Sequence, residues 1–229
     1  VMLKVTAYVM WTAPVAVLAA VAATITTEGL GILGTYGKFI GGYYVALLVL
    51  WAVLLGLGAM VIGPRVRTLV SMIRGPRLLA FSTASSEAAY PKTLEHLERF
   101  GVSPRIASFV LPLGYSFNLD GSMMYCTFAT LFIAQAYGID LSGGQLITLL
   151  LLLLVTSKGI AGVPRASLVV LAATLPHFGI PDAGLLLVLA VDQFLDMGRS
   201  ATNVVGNSIA SSVVAKWEGE LSDPQSVAG

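Results

Sequence analysis

The sequence predicts an all-α integral membrane protein, and three observations support this fold class. Of the 229 residues, 56% are hydrophobic and only 11% are charged, and the mean hydropathy is +0.86. Roughly a quarter of the residues in soluble domains are charged, so this composition is typical of a chain that lies in lipid. The apolar runs approach the length of about 20 residues that a helix needs to cross the hydrocarbon core.

The net charge of +1 argues against a nucleic acid or another polyanion as partner.

Five apolar runs are candidates for membrane segments, although some are short and end in polar residues. They lie near residues 5–25, 39–62, 106–133, 145–157 and 166–190. The chain starts at Val1 rather than Met, and no charged segment with a cleavage site opens it. We therefore expect a fragment that begins inside a larger protein and lacks its N-terminal helices.

The basic residues predict how the chain is oriented in the membrane. They lie on either side of "STASSEAAYP", namely Arg65, Arg67, Arg74, Arg77, Lys92, Arg99 and Arg105. Since cytoplasmic loops carry an excess of Lys and Arg, we expect both of these linkers on the cytoplasmic side of the cell's inner membrane. The loops around residues 137–145 and 176–183 contain neither Lys nor Arg and are expected outside. The chain is thus predicted to cross the membrane several times.

Two segments do not fit simple spans, because each must return to the side from which it came. Residues 78–91 are rich in Ser and Thr at their centre, "STASSE", and residues 145–175 contain the Gly-rich centre "TSKGIAGVPRAS". Non-helical backbone at membrane depth is tolerated only where it is buried in protein or lines a wet cavity. We therefore predict two re-entrant hairpins that enter from opposite faces, with one polar site between their tips.

These patterns predict three regions. Residues 1–77 are expected to form two transmembrane helices and a cytoplasmic linker, residues 78–221 a membrane-embedded core, and residues 222–229 a disordered tail. Within the core we expect hairpin 1 at about 78–91, a broken helix at about 105–134, hairpin 2 at about 145–175 and an amphipathic last helix at about 183–217.

The last helix carries a polar stripe. Its members recur at helical spacing and are Asp192, Asp196, Arg199, Asn203 and Asn207. Ionised groups at membrane depth are costly and almost always face a bundle interior or a cavity. The alternative is an Asp–Arg pair that only holds helices together, but five polar residues in register favour a binding site.

The stretch "GYSFNLDGS", residues 114–122, interrupts an apolar run with polar residues. Asn, Asp and Gly favour turns, so we expect the helix to unwind here and to release backbone carbonyls. Carbonyls beside Asn118 and Asp120 are the oxygen ligands that a cation such as Na⁺ would use. A kink with only a structural role is the alternative.

Residues 1–221 resemble the C-terminal half of the glutamate/dicarboxylate:cation symporter family. The resemblance lies in "STASSE", "GYSFNLDGS", "SKGIAGVP" and "DMGRSATNVVGN", in this order and spacing. It implies an elevator-type glutamate transporter fold, with two hairpins packed against a broken helix and an amphipathic last helix. It also implies a homotrimer whose transport domains move against a scaffold in the lipid bilayer.

The resemblance implies the site residues by position. The substrate would be surrounded by Ser85, Ser86, Ser122, Ala161, Gly162, Val163, Asp196, Arg199, Ser200 and Asn203. Arg199 would bind the substrate's side-chain carboxylate, and Asp196 its α-ammonium. Coupling cations would be held by backbone or side-chain groups of Gly114, Ser116, Asn118, Asp120, Ser157, Lys158, Ile160, Asn203 and Asn207.

Some positions depart from the family pattern. Asn207 replaces an Asp of many sodium-coupled members, so protons are expected to replace sodium in part. Cys126 stands where some members have a proton-carrying Glu, which leaves Glu87 as another candidate for that role. Lys158 and Arg165 are expected to extend outward to the membrane surface.

The resemblance therefore implies a symporter that takes up glutamate or aspartate with Na⁺, H⁺ or both, without a prosthetic cofactor. A C4-dicarboxylate symporter is the alternative, but such a substrate would leave Asp196 buried and unpaired. We expect no enzyme, although Asp120 with Asp192 or Asp196 could form an intramembrane aspartyl protease pair. A channel shares the polar lining but needs no gate.

Overall fold

The computed structural model describes residues 15, 18, 19, 22, 26, 31–159, 162 and 164–224. The regular elements in this part of the chain are all helical, and one isolated antiparallel bridge joins Val102 to Leu221. The all-α prediction is therefore confirmed for the described residues. The first expected span, near residues 5–25, lies mainly outside them.

Helix α1, Ile32–Ile62, has 31 residues, and an 18-residue window within it has a mean hydropathy of 2.8. Among the described helices, it alone has the length and composition to cross a membrane. One face is buried through Tyr43 and Leu47, while Leu48 and Val49 are exposed. The helix ends at Gly63, whose φ of +64° is left-handed, followed by Pro64.

The next three helices include the first expected hairpin. They are α2, Arg65–Met72, α3, Arg74–Thr83, and α4, Ser86–Phe100. Part of the expected linker is therefore helical, and the helices flanking the Ser-rich tip extend beyond residues 78–91. The turn between α3 and α4 consists of Ala84, in the left-handed region with φ of +49°, and Ser85. Ser85 Oγ caps α4 by accepting a hydrogen bond from the Ala88 N–H at 3.2 Å.

A two-residue interruption separates α5, Pro104–Phe117, from α6, Asp120–Ala136. Asn118 and Leu119 have non-helical backbone angles, which turn the chain between the two helices. The break therefore falls within "GYSFNLDGS", and it leaves the carbonyl end of α5 and the amide end of α6 close to each other.

The second expected hairpin consists of α7, Gly143–Thr156, and α8, Ala166–Thr174. A 3₁₀ turn at Ser157–Gly159 follows α7, and 3₁₀ turns at Leu175–Phe178 and Asp182–Gly184 lead to α9, Leu185–Leu189. The last helix is α10, Asp192–Trp217. The expected helix at about 183–217 is thus divided into two, with the break at residues 190–191.

Helix α10 lies at the centre of the fold and packs against α1, α3, α4, α5 and α6. Polar contacts fix it to α1, because Tyr44 Oη donates to the Phe194 carbonyl at 2.7 Å and Trp51 Nε1 to Thr202 Oγ1 at 2.8 Å. Most of its residues are buried. The element with the most charged and amide side chains is therefore the most enclosed.

The start of the C-terminal tail is bound to the rest of the chain. The Ser222 N–H donates to the Gly101 carbonyl at 2.9 Å, and Arg65 forms an ion pair with Asp223. The expectation of disorder from residue 222 is therefore wrong for residues 222 and 223. Residues 225–229 lie outside the described part.

Close packing between α10 and α1 predicts that Gly198 tolerates no larger side chain. A Cβ atom there would lie 2.8 Å from Leu47 Cδ1 and 3.3 Å from Tyr43 Cε1. In the purified full-length protein, Gly198→Val should destabilise the fold by about 1–3 kcal/mol and lower the melting temperature. Gly56→Val is the matched control, since a Cβ atom at Gly56 meets nothing within 4 Å. Equal melting temperatures of the two variants would contradict this packing.

Candidate functional site

The site is built around an ion pair inside α10. Arg199 Nε donates to Asp196 Oδ1 at 2.5 Å, one helical turn away, and both side chains are essentially without solvent exposure. Arg199 is the largest fully buried side chain among the described residues. The predicted stripe is buried along its whole length, from Asp192 to Asn207. A buried charge is tolerated only when it is paired and hydrogen-bonded, so this pair constrains everything packed on it.

The N-terminal end of α8 closes over both carboxylates of the stripe. The Arg165 N–H donates to Asp196 Oδ2 at 2.6 Å, and Arg165 Nε lies 3.4 Å from Asp192 Oδ2. Tyr125 Oη donates to the other oxygen of Asp192 at 2.5 Å. Arg165 was expected to extend outward; its guanidinium reaches Asp192, while 46% of its side chain stays exposed.

Arg165 and Tyr125 are site residues that the sequence analysis missed. Arg165 is one of two described non-glycine residues with a positive φ, at +64°, and it follows Pro164. This conformation turns its N–H toward α10. The sequence did contain a signal for Arg165. It is a charged residue at the end of a Gly-rich segment, and another predicted helix carries two carboxylates that could attract it.

The tips of the two expected hairpins touch each other. Ser85 Oγ donates to the Gly162 carbonyl at 2.9 Å, and the Gly162 N–H donates to Glu87 Oε1 at 2.9 Å. A Cβ atom at Gly162 would lie 2.5 Å from Ser86 Oγ, so only glycine allows this approach. The candidates Ala161 and Val163 lie outside the described residues.

The start of α6 contributes a third wall. The Gly121 N–H donates to Asn203 Oδ1 at 2.9 Å, while Asn203 Nδ2 and Arg199 Nη1 both approach Ser122 Oγ, at 3.3 and 3.4 Å. Ser200 Oγ is buried and has no hydrogen-bond partner among the described residues. The structure therefore brings Ser122, Arg199 and Asn203 together.

A second polar cluster lies further along α10. Asn118 Nδ2 donates to Asn207 Oδ1 at 3.1 Å, and a Cβ atom at Gly206 would collide with Asp120 Oδ2. Gly114 packs directly against Asn207 in the same way. Asp120 Oδ2 and Asn207 Nδ2 are both buried without a hydrogen-bond partner within the described ranges. Buried polar atoms in proteins are normally hydrogen-bonded, so these two are available to bind a water molecule or an ion.

A cavity of about 370 Å³ opens between α1 and α10 beside this second cluster. Its wall is mostly apolar and includes Leu57 and Val213, but Asn118 and Asp120 lie at its edge. The cavity therefore borders the second cluster on the side of α1.

The other described candidates for cation binding lie in the last turn of α5 or in the 3₁₀ turn after α7. Ser116 is exposed, and its hydroxyl donates to the Pro112 carbonyl at 3.4 Å. Ser157 is buried, and its hydroxyl donates to the Leu154 carbonyl at 3.4 Å. The Lys158 ammonium donates to the Phe117 carbonyl, so its predicted outward extension is wrong. Ile160 lies outside the described residues.

The aspartyl protease pair is excluded by position. Asp120 lies against Gly206, which is roughly 15 Å from Asp196 along the axis of α10 at about 1.5 Å per residue. Two catalytic carboxylates must share a proton and therefore lie in contact. Over the described ranges, no three His, Cys, Asp or Glu residues are grouped so as to hold a metal ion.

The buried ion pair predicts a non-additive effect on stability. Arg199→Met leaves Asp196 buried without its cation and should destabilise the ligand-free protein by about 3–5 kcal/mol. The double variant Arg199→Met/Asp196→Asn removes both charges and should recover most of this loss, as judged from melting temperatures. A double variant no more stable than Arg199→Met would show that Asp196 does not depend on this partner.

Comparison with known proteins places the chain in a transporter family. The sequence profile of the sodium:dicarboxylate symporter family matches residues 1–217. The chain is 50% identical, over 217 residues, to the proton/glutamate-aspartate symporter of Escherichia coli (strain K12), covering 95% of this chain and 50% of that protein.

Other relatives carry different substrate names. The identity is 46% to the proton/sodium-glutamate symport protein of Bacillus subtilis (strain 168), covering 92% of this chain and 49% of that protein. It is 44% to C4-dicarboxylate transport protein 2 of Polaromonas naphthalenivorans (strain CJ2), covering 93% of this chain and 48% of that protein. The chain spans about half the length of these relatives. On the family profile and these identities, the chain belongs to the sodium:dicarboxylate symporter family.

Proposed function

We propose that the full-length protein is a secondary active symporter that takes up glutamate or aspartate together with Na⁺, H⁺ or both. The observation that carries this proposal is the buried pair of Asp196 and Arg199 beneath two touching hairpin tips. An acidic amino acid has an ammonium and two carboxylates, and the site offers one carboxylate and one guanidinium to them. Each charged group of Asp196 and Arg199 would therefore pair with an opposite charge of the substrate in a site that is buried from solvent.

Each wall of the site has a role in this proposal. Arg199 binds the side-chain carboxylate, because a guanidinium offers N–H donors in a fork that fits a carboxylate. Asp196 binds the α-ammonium, and hydroxyls and backbone N–H groups bind the main carboxylate and complete the site. These further groups belong to Ser85, Ser86, Ser122, Ala161, Gly162, Val163, Ser200 and Asn203.

The expectation that a dicarboxylate would leave Asp196 unpaired is wrong. Asp196 is not left unpaired without an ammonium, since Arg199 Nε and the Arg165 N–H hold its two oxygens. The preference for an amino acid rests instead on the charge of the ligand. A dicarboxylate carries one more uncompensated negative charge than aspartate into a buried site that already contains Asp192 and Asp196.

The relatives' names support both classes of substrate. Relatives named for glutamate or aspartate include two at 50% and 46% identity, and relatives named for C4-dicarboxylates include two at 44% and 42%. C4-dicarboxylate symport is therefore the second candidate. The names also support protons, with or without sodium, as coupling ions.

Cations are proposed to bind at the second cluster. Asp120 supplies a carboxylate whose buried oxygen has no partner within the described part of the chain, and Asn118 and Asn207 add amide oxygens. Carboxylate and carbonyl oxygens at an unwound helix are suitable ligands for Na⁺. The coupling cations are transported with the substrate and are not resident cofactors.

The setting proposed for this chemistry is a multi-pass protein of the inner membrane. The two helix pairs around Ser85 and Gly162 would be re-entrant hairpins, and the second would open to admit substrate. The resemblance to the family supports a homotrimer with elevator motion. No enzymatic activity is proposed.

Transport by the full-length carrier in sealed vesicles tests this function. Inward Na⁺ and H⁺ gradients should drive accumulation of labelled L-aspartate, and unlabelled aspartate inside should support counterflow. Failure of counterflow with rapid equilibration would indicate a channel.

Substrate choice is tested with Asp196→Ser. This change should weaken L-aspartate binding at least about tenfold, equal to 1.4 kcal/mol, and succinate binding far less. Asp140→Ser, which removes an exposed carboxylate in a loop, should change neither. If the unmodified carrier binds succinate at least as tightly as aspartate at neutral pH, dicarboxylates are the substrates.

A further inference from the structure

Lys158 lies in the 3₁₀ turn after α7, and its side chain is directed toward the helix break. Its Nζ donates a hydrogen bond to the backbone carbonyl of Phe117, the last residue of α5. The lysine is half-buried, so solvent remains within its reach. The ammonium nevertheless lies at the carbonyl end of a helix on another segment.

The end of α5 is a favourable position for a cation. The last carbonyls of a helix lack partners within it, and the helix dipole places about half a negative charge there. The Gly121 N–H, which would bond to the Phe117 carbonyl in a continuous helix, donates to Asn203 Oδ1 instead. Because of the break, the Phe117 carbonyl is free to accept a bond from a group outside α5.

Asp120 adds a full negative charge to the same neighbourhood. The Lys158 ammonium is near enough to the Asp120 carboxylate for an electrostatic interaction. The described portion of the chain contains no ion pair with Asp120, either from Lys158 or from another cation, and Asp120 Oδ2 is buried without a hydrogen bond there. The positive charge of Lys158 is thus bonded to the helix end and attracts the carboxylate over a longer distance.

We propose that Lys158 is a tethered cation, which occupies a position beside the Phe117 carbonyl that a Na⁺ ion would otherwise take. Backbone carbonyls at the end of a broken helix bind Na⁺, and an ammonium offers three donors to the same oxygens. The lysine lowers by one the number of Na⁺ ions that accompany the substrate. This inference rests on the proposed symport function.

The test is the dependence of L-aspartate affinity on Na⁺ in the purified full-length protein. Calorimetry at constant pH, with choline replacing Na⁺, gives the slope of log Kd against log Na⁺ concentration. Lys158→Met keeps the side-chain length and removes the charge. Its slope should be steeper than that of the unmodified protein by about one, because one more Na⁺ binds with each substrate.

Two control variants separate charge from position. Lys158→Arg retains a cation and should keep the original slope, as should Lys92→Met, which removes an exposed lysine on α4. An unchanged slope in Lys158→Met, with or without a loss of affinity, would overturn the proposal.

A substrate-free measurement keeps the two proposals distinct. If the unmodified protein binds neither aspartate nor succinate, the proposed function fails, and the melting temperature still tests Lys158. Na⁺ should raise the melting temperature of Lys158→Met more than that of the unmodified protein. An equal effect of Na⁺ on both proteins would overturn the role of Lys158.

Discussion

The buried pair of Asp196 and Arg199 is the constraint on which the rest of the structure depends. A guanidinium and a carboxylate without solvent require every remaining donor and acceptor around them to be satisfied by protein or ligand. The start of α6, the N-terminal end of α8 and the neighbouring turns of α10 all supply such groups. The chain therefore interrupts its helices near the charges of Asp196 and Arg199, where free backbone and side-chain groups are needed to pair with them.

Glycine makes this arrangement sterically feasible. At Gly121, Gly162 and Gly206 an added Cβ atom would collide with Arg199, Ser86 and Asp120, respectively. Each of these glycines lets a polar group approach backbone that a side chain would otherwise cover. The contact at Gly121 joins α6 to α10, and the contact at Gly162 joins the segment between α7 and α8 to α4. The contact at Gly206 joins Asp120 of the second polar cluster to α10.

Much of this could be predicted from the sequence because its signals are local. The spacing of Asp192, Asp196 and Arg199 places them on one helical face, whatever the rest of the chain does. The turn-forming residues of "GYSFNLDGS" likewise mark an interruption without knowledge of the fold. Helix α2 was missed because its Arg-rich segment has no apolar period, although Arg is a good helix former.

The direction of long side chains could not be predicted in the same way. Lys158 and Arg165 were expected at the membrane surface, which is correct for a basic residue near a helix end in isolation. Their actual partners, Phe117 and Asp192, are 41 and 27 positions away along the chain. Only the fold brings these partners near, and a buried carboxylate or an open helix end then attracts the cation, while part of its side chain stays exposed.

A structure of the full-length carrier determined with L-aspartate tests the central claim most directly. The account predicts the ligand between Gly162, Ser86 and Arg199, with its ammonium about 3 Å from Asp196 Oδ2 in place of the Arg165 N–H. A ligand bound elsewhere, for instance in the cavity beside Asn118 and Asp120, with the Asp196–Arg199 pair unchanged, would contradict it.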